Sequence, residues 1–169
     1  MLDLKSEIFV KKLLEWYDSN KRTFDWRTRP LTPYEVLVLE ILLQRTMADR
    51  VNKVFTNFIR MFPNPRSLHN ASEQHLTALL ETLGLQKRRI KILKNLAREL
   101  IEKWNGKVPV CIDEVAKLPG VERYGANAVL CFSHGEPVAI VDTNVARVLS
   151  RIFALPTRGD PSSDRRLWD

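Results

Sequence analysis

Apolar residues recur along this chain at helical spacing, and several of the runs begin and end at recognisable caps. The opening MLDLKSEIFVKKLLEWY interleaves apolar positions with acids and bases, the pattern of an amphipathic helix. Thr32-Pro33-Tyr34-Glu35 is a capping box, with Thr32 as N-cap, Pro33 at the first helical position and Glu35 at the third. The helix it starts runs through Val36-Leu37-Val38-Leu39-Glu40-Ile41-Leu42-Leu43, apolar around nearly its whole circumference apart from Glu40. That marks a central buried helix, with Gln44 and Thr46 read as lying further along it. Ser72 precedes a helix predicted over Glu73 to Leu83, stopped by Gly84, and another is predicted from about Lys87 to Trp104. In the latter, Ile90, Leu93, Ala97, Leu100 and Ile101 form an inward stripe, while Lys87, Lys91, Lys94 and Arg98 form a basic one. Two shorter helical runs, Ile112 to Lys117 and Glu122 to Phe132, flank the turn Leu118-Pro119-Gly120-Val121. An apolar segment from Val138 then leads into a helix with apolar residues at Val145, Val148, Leu149, Ile152 and Phe153, which puts Asp142 at its N-cap. Few alternating strand patterns appear, so an all-α architecture is expected.

Length and composition narrow the class. With 169 residues, 44% of them hydrophobic, the chain can bury one sizeable core, and it has no apolar run long enough to cross a bilayer. The N-terminal helix lacks the uninterrupted apolar centre of a signal peptide, so an intracellular protein is expected, with no membrane partner. A formal charge of +7 favours a polyanionic partner, although charge alone suits a membrane surface or a ribosomal contact equally. Cys111 and Cys131 lie twenty residues apart with no C-x-x-C, and His69, His75 and His134 show no ligand spacing. No metal site is therefore predicted.

Three features carry candidate chemistry. The Leu118 to Val121 turn reads as a helix-hairpin-helix, whose second helix would aim backbone N–H groups and its positive end at a phosphate oxygen without reading a base. Leu-Pro-Gly alone fits an ordinary connection with a left-handed glycine as well. Asp142 either caps its helix and nothing more or also presents a carboxylate to a ligand. Glu40, in so apolar a helix, must either be neutralised or meet a charged or hydrogen-bonding partner.

Taken in order, Leu118-Pro119-Gly120-Val121, Arg123-Tyr124, Ala126, a Gly turn, and then Val141-Asp142, Asn144 and Arg147-Val148 resemble the helix-hairpin-helix, Gly/Pro-rich, Asp superfamily of DNA base-excision glycosylases. The resemblance runs from Trp16 to Phe153. Phe24-Asp25-Trp26-Arg27, Pro33-Tyr34-Glu35-Val36 and Glu40-Ile41-Leu42-Leu43-Gln44-Arg45-Thr46 resemble the opening helices of the adenine and mismatch-thymine branches. Leu83-Gly84-Leu85 followed by Lys87-Arg88-Arg89 is similar to the family's minor-groove loop. Leu-Gln-Arg-Thr and Gly-Leu-Gln lie closer to the mismatch-thymine (Mig-type) enzymes than to the MutY-type adenine glycosylases, which favour a second Gln and an aromatic after the Gly.

The resemblance implies one helix-hairpin-helix glycosylase domain over residues 1–169, its core about 30–135, with the N-terminal helix and 136–169 in a second lobe. It implies a double-stranded DNA partner carrying a mismatched or damaged base, and a flipped nucleotide whose base is released. Asp142 would stabilise the positive charge that develops on the sugar, aided by its place at a positive helix end. Glu40 would orient or hydrogen-bond the departing base or activate water; in an adenine enzyme it would have to protonate the purine. Tyr124 stands where strand-cleaving relatives carry a Schiff-base lysine, so the implied enzyme is monofunctional, with Tyr124 shaping the pocket or packing within the helix pair. DNA contacts are expected from Gln44, Arg45, Leu85, Gln86, Lys87, Gly120, Val121 and Arg123, with the 44–45 turn and the Leu85 loop filling the space a displaced base leaves. Leu85 fits a core-facing position equally.

Two departures qualify these expectations. The family hairpin usually reads Gly-x-Gly, whereas Glu122 occupies the second glycine position and sets an acid close to phosphate. Many relatives hold a [4Fe-4S] cluster through four cysteines in a C-terminal loop; no cofactor is expected within this chain, which looks cut short, because Ser162-Ser163-Asp164 resembles a helix cap and Arg165 to Asp169 barely begin a helix. The chain is then a fragment, or a partner supplies the missing helices; the sequence names no protein partner. The expected function is removal of thymine or uracil mispaired with guanine. The alternatives are adenine removal opposite guanine or oxidised guanine, and a non-catalytic helix-hairpin-helix DNA-binding module.

Overall fold

The computed structural model describes residues 4–154, so the helix expected after Ser162 lies outside the described residues. Among the described residues nine α-helices follow one another: α1 (Leu4–Asn20), α2 (Pro33–Leu43), α3 (Ala48–Met61), α4 (Pro65–Asn70), α5 (Glu73–Leu80), α6 (Gln86–Trp104), α7 (Ile112–Val115), α8 (Arg123–His134) and α9 (Thr143–Phe153). Single 3₁₀ turns lie at Asp25–Arg27 and Glu81–Leu83, and no strand occurs among the described residues. The all-α expectation holds. None of the described helices is long and apolar enough to cross a membrane.

α2 is the axis of the core, with α3, α6 and α8 packed around it. Tyr34 through Leu39, Ile41 and Leu42 are all buried, as a helix without a polar face requires. The capping box forms as predicted: Thr32 Oγ1 accepts from the Glu35 N–H at 3.3 Å, and Glu35 Oε2 accepts from the Thr32 N–H at 2.7 Å. Glu35 also takes two hydrogen bonds from the Arg29 guanidinium, at 3.1 and 2.6 Å. Burial pushes its carboxyl up, and the Arg29 and Thr32 bonds outweigh that and hold it below the ordinary range. The helix stops at Leu43, earlier than expected. Arg45 turns into the left-handed region at φ 54°, so Gln44 is the C-cap and Thr46 lies beyond the helix.

Two helices sit where the sequence reading placed none: α3, buried through Val51, Val54, Phe55, Phe58 and Ile59, and the short α4, closed by Asn64 and Ser67 in a reciprocal cap. α5 tightens into a 3₁₀ turn at Glu81, ahead of Gly84. In α6, Ile90, Leu93, Ala97 and Leu100 are buried as expected. The basic stripe is not uniform: Lys94 Nζ donates to the carbonyls of His69 (2.6 Å) and Ala71, tying α6 to the end of α4. α1 and α9 stand apart from the main core. α1 buries no residue completely and meets α9 through an edge-on Phe9–Phe153 pair, while Val145, Val148 and Ile152 of α9 stay exposed among the described residues.

Candidate active site

Three turns and three helix ends converge on one cleft of about 410 Å³, a volume that admits a small ligand or one displaced nucleotide base. Its wall includes Glu40 from α2, Gln44 and Arg45 from the turn after it, Leu85 before α6, Gly120 and Val121 from the hairpin, Tyr124 from α8 and Asp142 at the start of α9. Eight of the eleven expected site residues therefore meet, although the chain separates Glu40 from Asp142 by about a hundred residues. Gln86, Lys87 and Arg123 are not on the cleft wall. The Gln86 side chain instead donates to the Glu81 carbonyl at 3.0 Å and closes the preceding turn, while Lys87 and Arg123 lie exposed in the first turns of α6 and α8.

Asp142 caps α9 as its position predicted. Its Oδ1 accepts from the Val145 N–H at 2.7 Å, and Oδ2 accepts from the Asn144 side-chain amide at 3.2 Å. The cap fixes the carboxylate's orientation, and its half-buried place on the cleft wall keeps it accessible. Of the two fates open to Glu40, the structure favours a raised pKa over a charged partner. Among the described residues no hydrogen bond or ion pair reaches its carboxyl group, and burial pushes its pKa from the ordinary 4.5 to about 7. Arg89 lines the same cleft, yet its guanidinium is occupied by the carbonyls of Ile41, Leu42, Gln44 and Gly84. Tyr124 is half-buried; burial, together with the nearby charges of Glu40 and Asp142, pushes its hydroxyl up to about 12. It stays a neutral hydrogen-bonding group throughout the physiological range.

The hairpin is anchored from two sides. Gly120 has φ 76°, and a Cβ there would lie 2.2 Å from Ile92 Cγ2, so glycine is required both by the turn and by the close approach to α6. The Gln44 amide donates to the Gly120 carbonyl at 2.9 Å. Gln44, expected to face DNA, thus lines the cleft while one of its two amide N–H groups braces the hairpin. Glu122 is the N-cap of α8 but makes no side-chain cap, and its exposed carboxylate borders the cleft. Leu85, for which a core position was open, is 51% exposed with φ 53°, and Arg45, which lines the same cleft, is also exposed and left-handed. Two side chains held in that backbone region and pointed away from the core have no packing role to explain them.

Arg89, which the sequence places only within the basic run after the minor-groove loop, is buried. Its signal was present: Arg89 lies four and seven residues before Leu93 and Leu96, in phase with the buried face of α6. A positive charge in a basic run hid it. Both cysteines of the chain are free, Cys111 exposed and Cys131 half-buried. Among the described residues no group of three or more His, Cys, Asp or Glu is placed to hold a metal ion.

A model of the HhH-GPD superfamily of base excision DNA repair proteins matches residues 38–169. A thymine/uracil-DNA glycosylase of Pyrobaculum aerophilum is 33% identical over 163 residues, 95% of this chain and 70% of that protein. An adenine DNA glycosylase of Mycobacterium tuberculosis is 36% identical over 154 residues, 90% of this chain but 50% of its own length. The solved structure of a thermostable thymine-DNA glycosylase superposes with a TM-score of 0.86 at 30% identity, covering 97% of this chain and 75% of that one.

Proposed function

The chain belongs to the HhH-GPD superfamily of base excision DNA repair proteins and is a DNA glycosylase, and from that premise we propose that it removes thymine or uracil mispaired with guanine and leaves an abasic site. The observation that carries the reading is the junction of Asp142, Glu40 and Tyr124 on one cleft that admits a displaced base. A mispaired base is the easier one to extrude, since less pairing energy opposes it. Once the nucleotide is in the cleft, the bond from base to sugar breaks with its electron pair leaving on the base. The Asp142 carboxylate stabilises the positive charge left on the sugar, water adds its oxygen to the sugar carbon, and the proton the water loses neutralises the departed base. Glu40, its pKa raised to about 7, donates a hydrogen bond to the departing base in its protonated form. Tyr124 walls the cleft and, having no amine, forms no Schiff base, so strand cleavage does not follow release.

On the DNA side, Arg45 and Leu85 are the exposed side chains suited to enter the stack, and the hairpin from Gly120 with the first turn of α8 is suited to a phosphate. Lys87 and Arg123, off the cleft but exposed at helix starts, suit flanking phosphates; Gln86 suits this poorly because its side chain is already engaged. The buried residues from Tyr34 to Val129 fit a first lobe, and α1 joined to α9 fits a second, in this reading.

The test is single-turnover base release from duplexes carrying T:G, U:G, A:G and A opposite oxidised guanine, each with and without alkali. Release of thymine or uracil, visible as breaks only after alkali, is expected. Release of adenine would transfer the protein to the adenine branch, breaks without alkali would overturn the monofunctional assignment, and DNA binding without release from any duplex would leave a binding module.

A further inference from the structure

Arg89 is 3% exposed and has no carboxylate partner among the described residues. Its guanidinium is satisfied instead by backbone. Nε donates to the Ile41 carbonyl at 3.3 Å and Nη2 to the Leu42 carbonyl at 3.5 Å, which covers the open carbonyls in the last turn of α2. A helix cap needs no more than this. The remaining bonds go to two separate turns: Nη2 donates to the Gln44 carbonyl at 2.9 Å and to Thr46 Oγ1 at 2.8 Å, and Nη1 donates to the Gly84 carbonyl. Thr46 Oγ1 lies 3.3 Å from the Leu83 carbonyl as well, bridging the same two turns.

The positions of those carbonyls matter. The Gln44 carbonyl belongs to the peptide plane that leads into Arg45, and the Gly84 carbonyl to the plane that leads into Leu85. Arg45 and Leu85 are the two exposed residues in the left-handed region that border the cleft, at φ 54° and 53°. One rigid, planar guanidinium therefore grips the peptide immediately before each of them. A flexible ammonium has no fork with which to hold both planes in one orientation.

We propose that Arg89 is a positioning residue that couples the Arg45 and Leu85 turns into one rigid pair, so that both side chains meet the DNA stack in fixed register. The inference rests on the glycosylase reading for its effect on excision, but the coupling itself is a property of the free protein. A guanidinium that holds both inserting residues acts on the opening of the nucleotide and hardly at all on the electrostatic capture of the duplex. A misplacement of about 1 Å caused by a change away from the chemistry can cost on the order of 100-fold in rate.

Arg89→Lys and Thr46→Val in the full chain test this, the second variant removing one Arg89 contact by a near-isosteric change should the first fail to fold. Amide hydrogen exchange of the free protein is read at residues 44–46 and 84–90. Both segments are expected to exchange faster together, about tenfold or more, while α3 and α8 keep their protection. Loosening of one segment alone, of neither, or of the whole fold would overturn the coupling. In parallel, single-turnover base release from a T:G duplex is expected to fall on the order of 100-fold for Arg89→Lys with duplex affinity changed less than about threefold. The loss should vanish when Arg45 and Leu85 are both already alanine. Equal losses in affinity and rate, or a full loss persisting in that background, would overturn the positioning role. If the unmutated protein releases no base, the glycosylase reading fails, and the exchange experiment still decides the coupling.

Discussion

The side-chain amide of Gln44 donates to the carbonyl of Gly120 across 76 residues of sequence, joining the end of the central helix to the hairpin. The residue bearing Glu40's helix onward and the turn that leads to Tyr124 are thereby held in one frame. Gln44→Ala should remove a half-buried hydrogen bond worth about 1 kcal/mol and free the hairpin to shift. Urea unfolding should report that small loss, and single-turnover base release should fall about tenfold, a larger effect than the loss of stability explains. An unchanged release rate would show that the hairpin is held without this bond.

Gly120 admits no side chain. With φ at 76° and Ile92 Cγ2 2.2 Å from where a Cβ would sit, Gly120→Ala should destabilise the fold by about 2 to 4 kcal/mol, combining left-handed strain with overpacking. Urea midpoints measure it. The companion change Ile92→Ala in the same chain should recover part of the loss by opening space, leaving the backbone strain.

Glu40 makes two pH predictions. Its folded pKa of about 7 lies above the ordinary 4.5, so the unfolded chain ionises first as pH rises. The resulting destabilisation is absent below about pH 4.5, grows between 4.5 and 7 and is constant above that. Glu40→Gln removes the ionisation, so its stability relative to the unmutated protein should rise across that window by up to about 3 kcal/mol. Base release should decline above pH 7 as the Glu40 proton is lost, and Glu40→Gln, which keeps a hydrogen-bond donor, should flatten that limb. A rate that instead rises through pH 7 would assign Glu40 to water activation.

The acid at the N-cap of α8 is out of place for a phosphate seat. Glu122 is exposed, borders the cleft and caps nothing with its side chain. Glu122→Gln should tighten duplex binding about three- to tenfold at low salt, an advantage that shrinks as salt screens the lost repulsion. Fluorescence anisotropy across a salt series reads it directly, and equal affinities at low salt would place the phosphate elsewhere.

Local signals carried much of this architecture. Thr32 with Glu35, Ser72, Gly84 and Asp142 announced helix ends because caps are made by residues three or four positions apart. Asp142, Glu40 and Tyr124 were identified through an ordered motif, and the fold brings them onto one cleft. What stayed hidden depends on partners distant in sequence. Whether Glu40 would be paired could not be read until Arg89 was seen to be taken up by carbonyls. That Gln44 also ties the central helix to the hairpin stayed hidden, because nothing local reveals that Gly120 accepts from it. Lys94 looked like one member of a solvated stripe, whereas the end of α4 claims it. The apolar pattern of α9 also overstated burial: Val145, Val148 and Ile152 follow helical spacing but remain exposed among the described residues.

The central claim is that Asp142 carries the chemistry as well as capping α9. Asparagine caps a helix about as well as aspartate but has no charge to offer the sugar. Single-turnover release of uracil from a U:G duplex, with duplex affinity and melting temperature measured on the same preparations, separates the two roles for Asp142→Asn. The account predicts a rate lowered by about a thousandfold or more, with affinity and stability nearly unchanged. A variant that releases uracil at close to the original rate would contradict it and return Asp142 to the role of a cap.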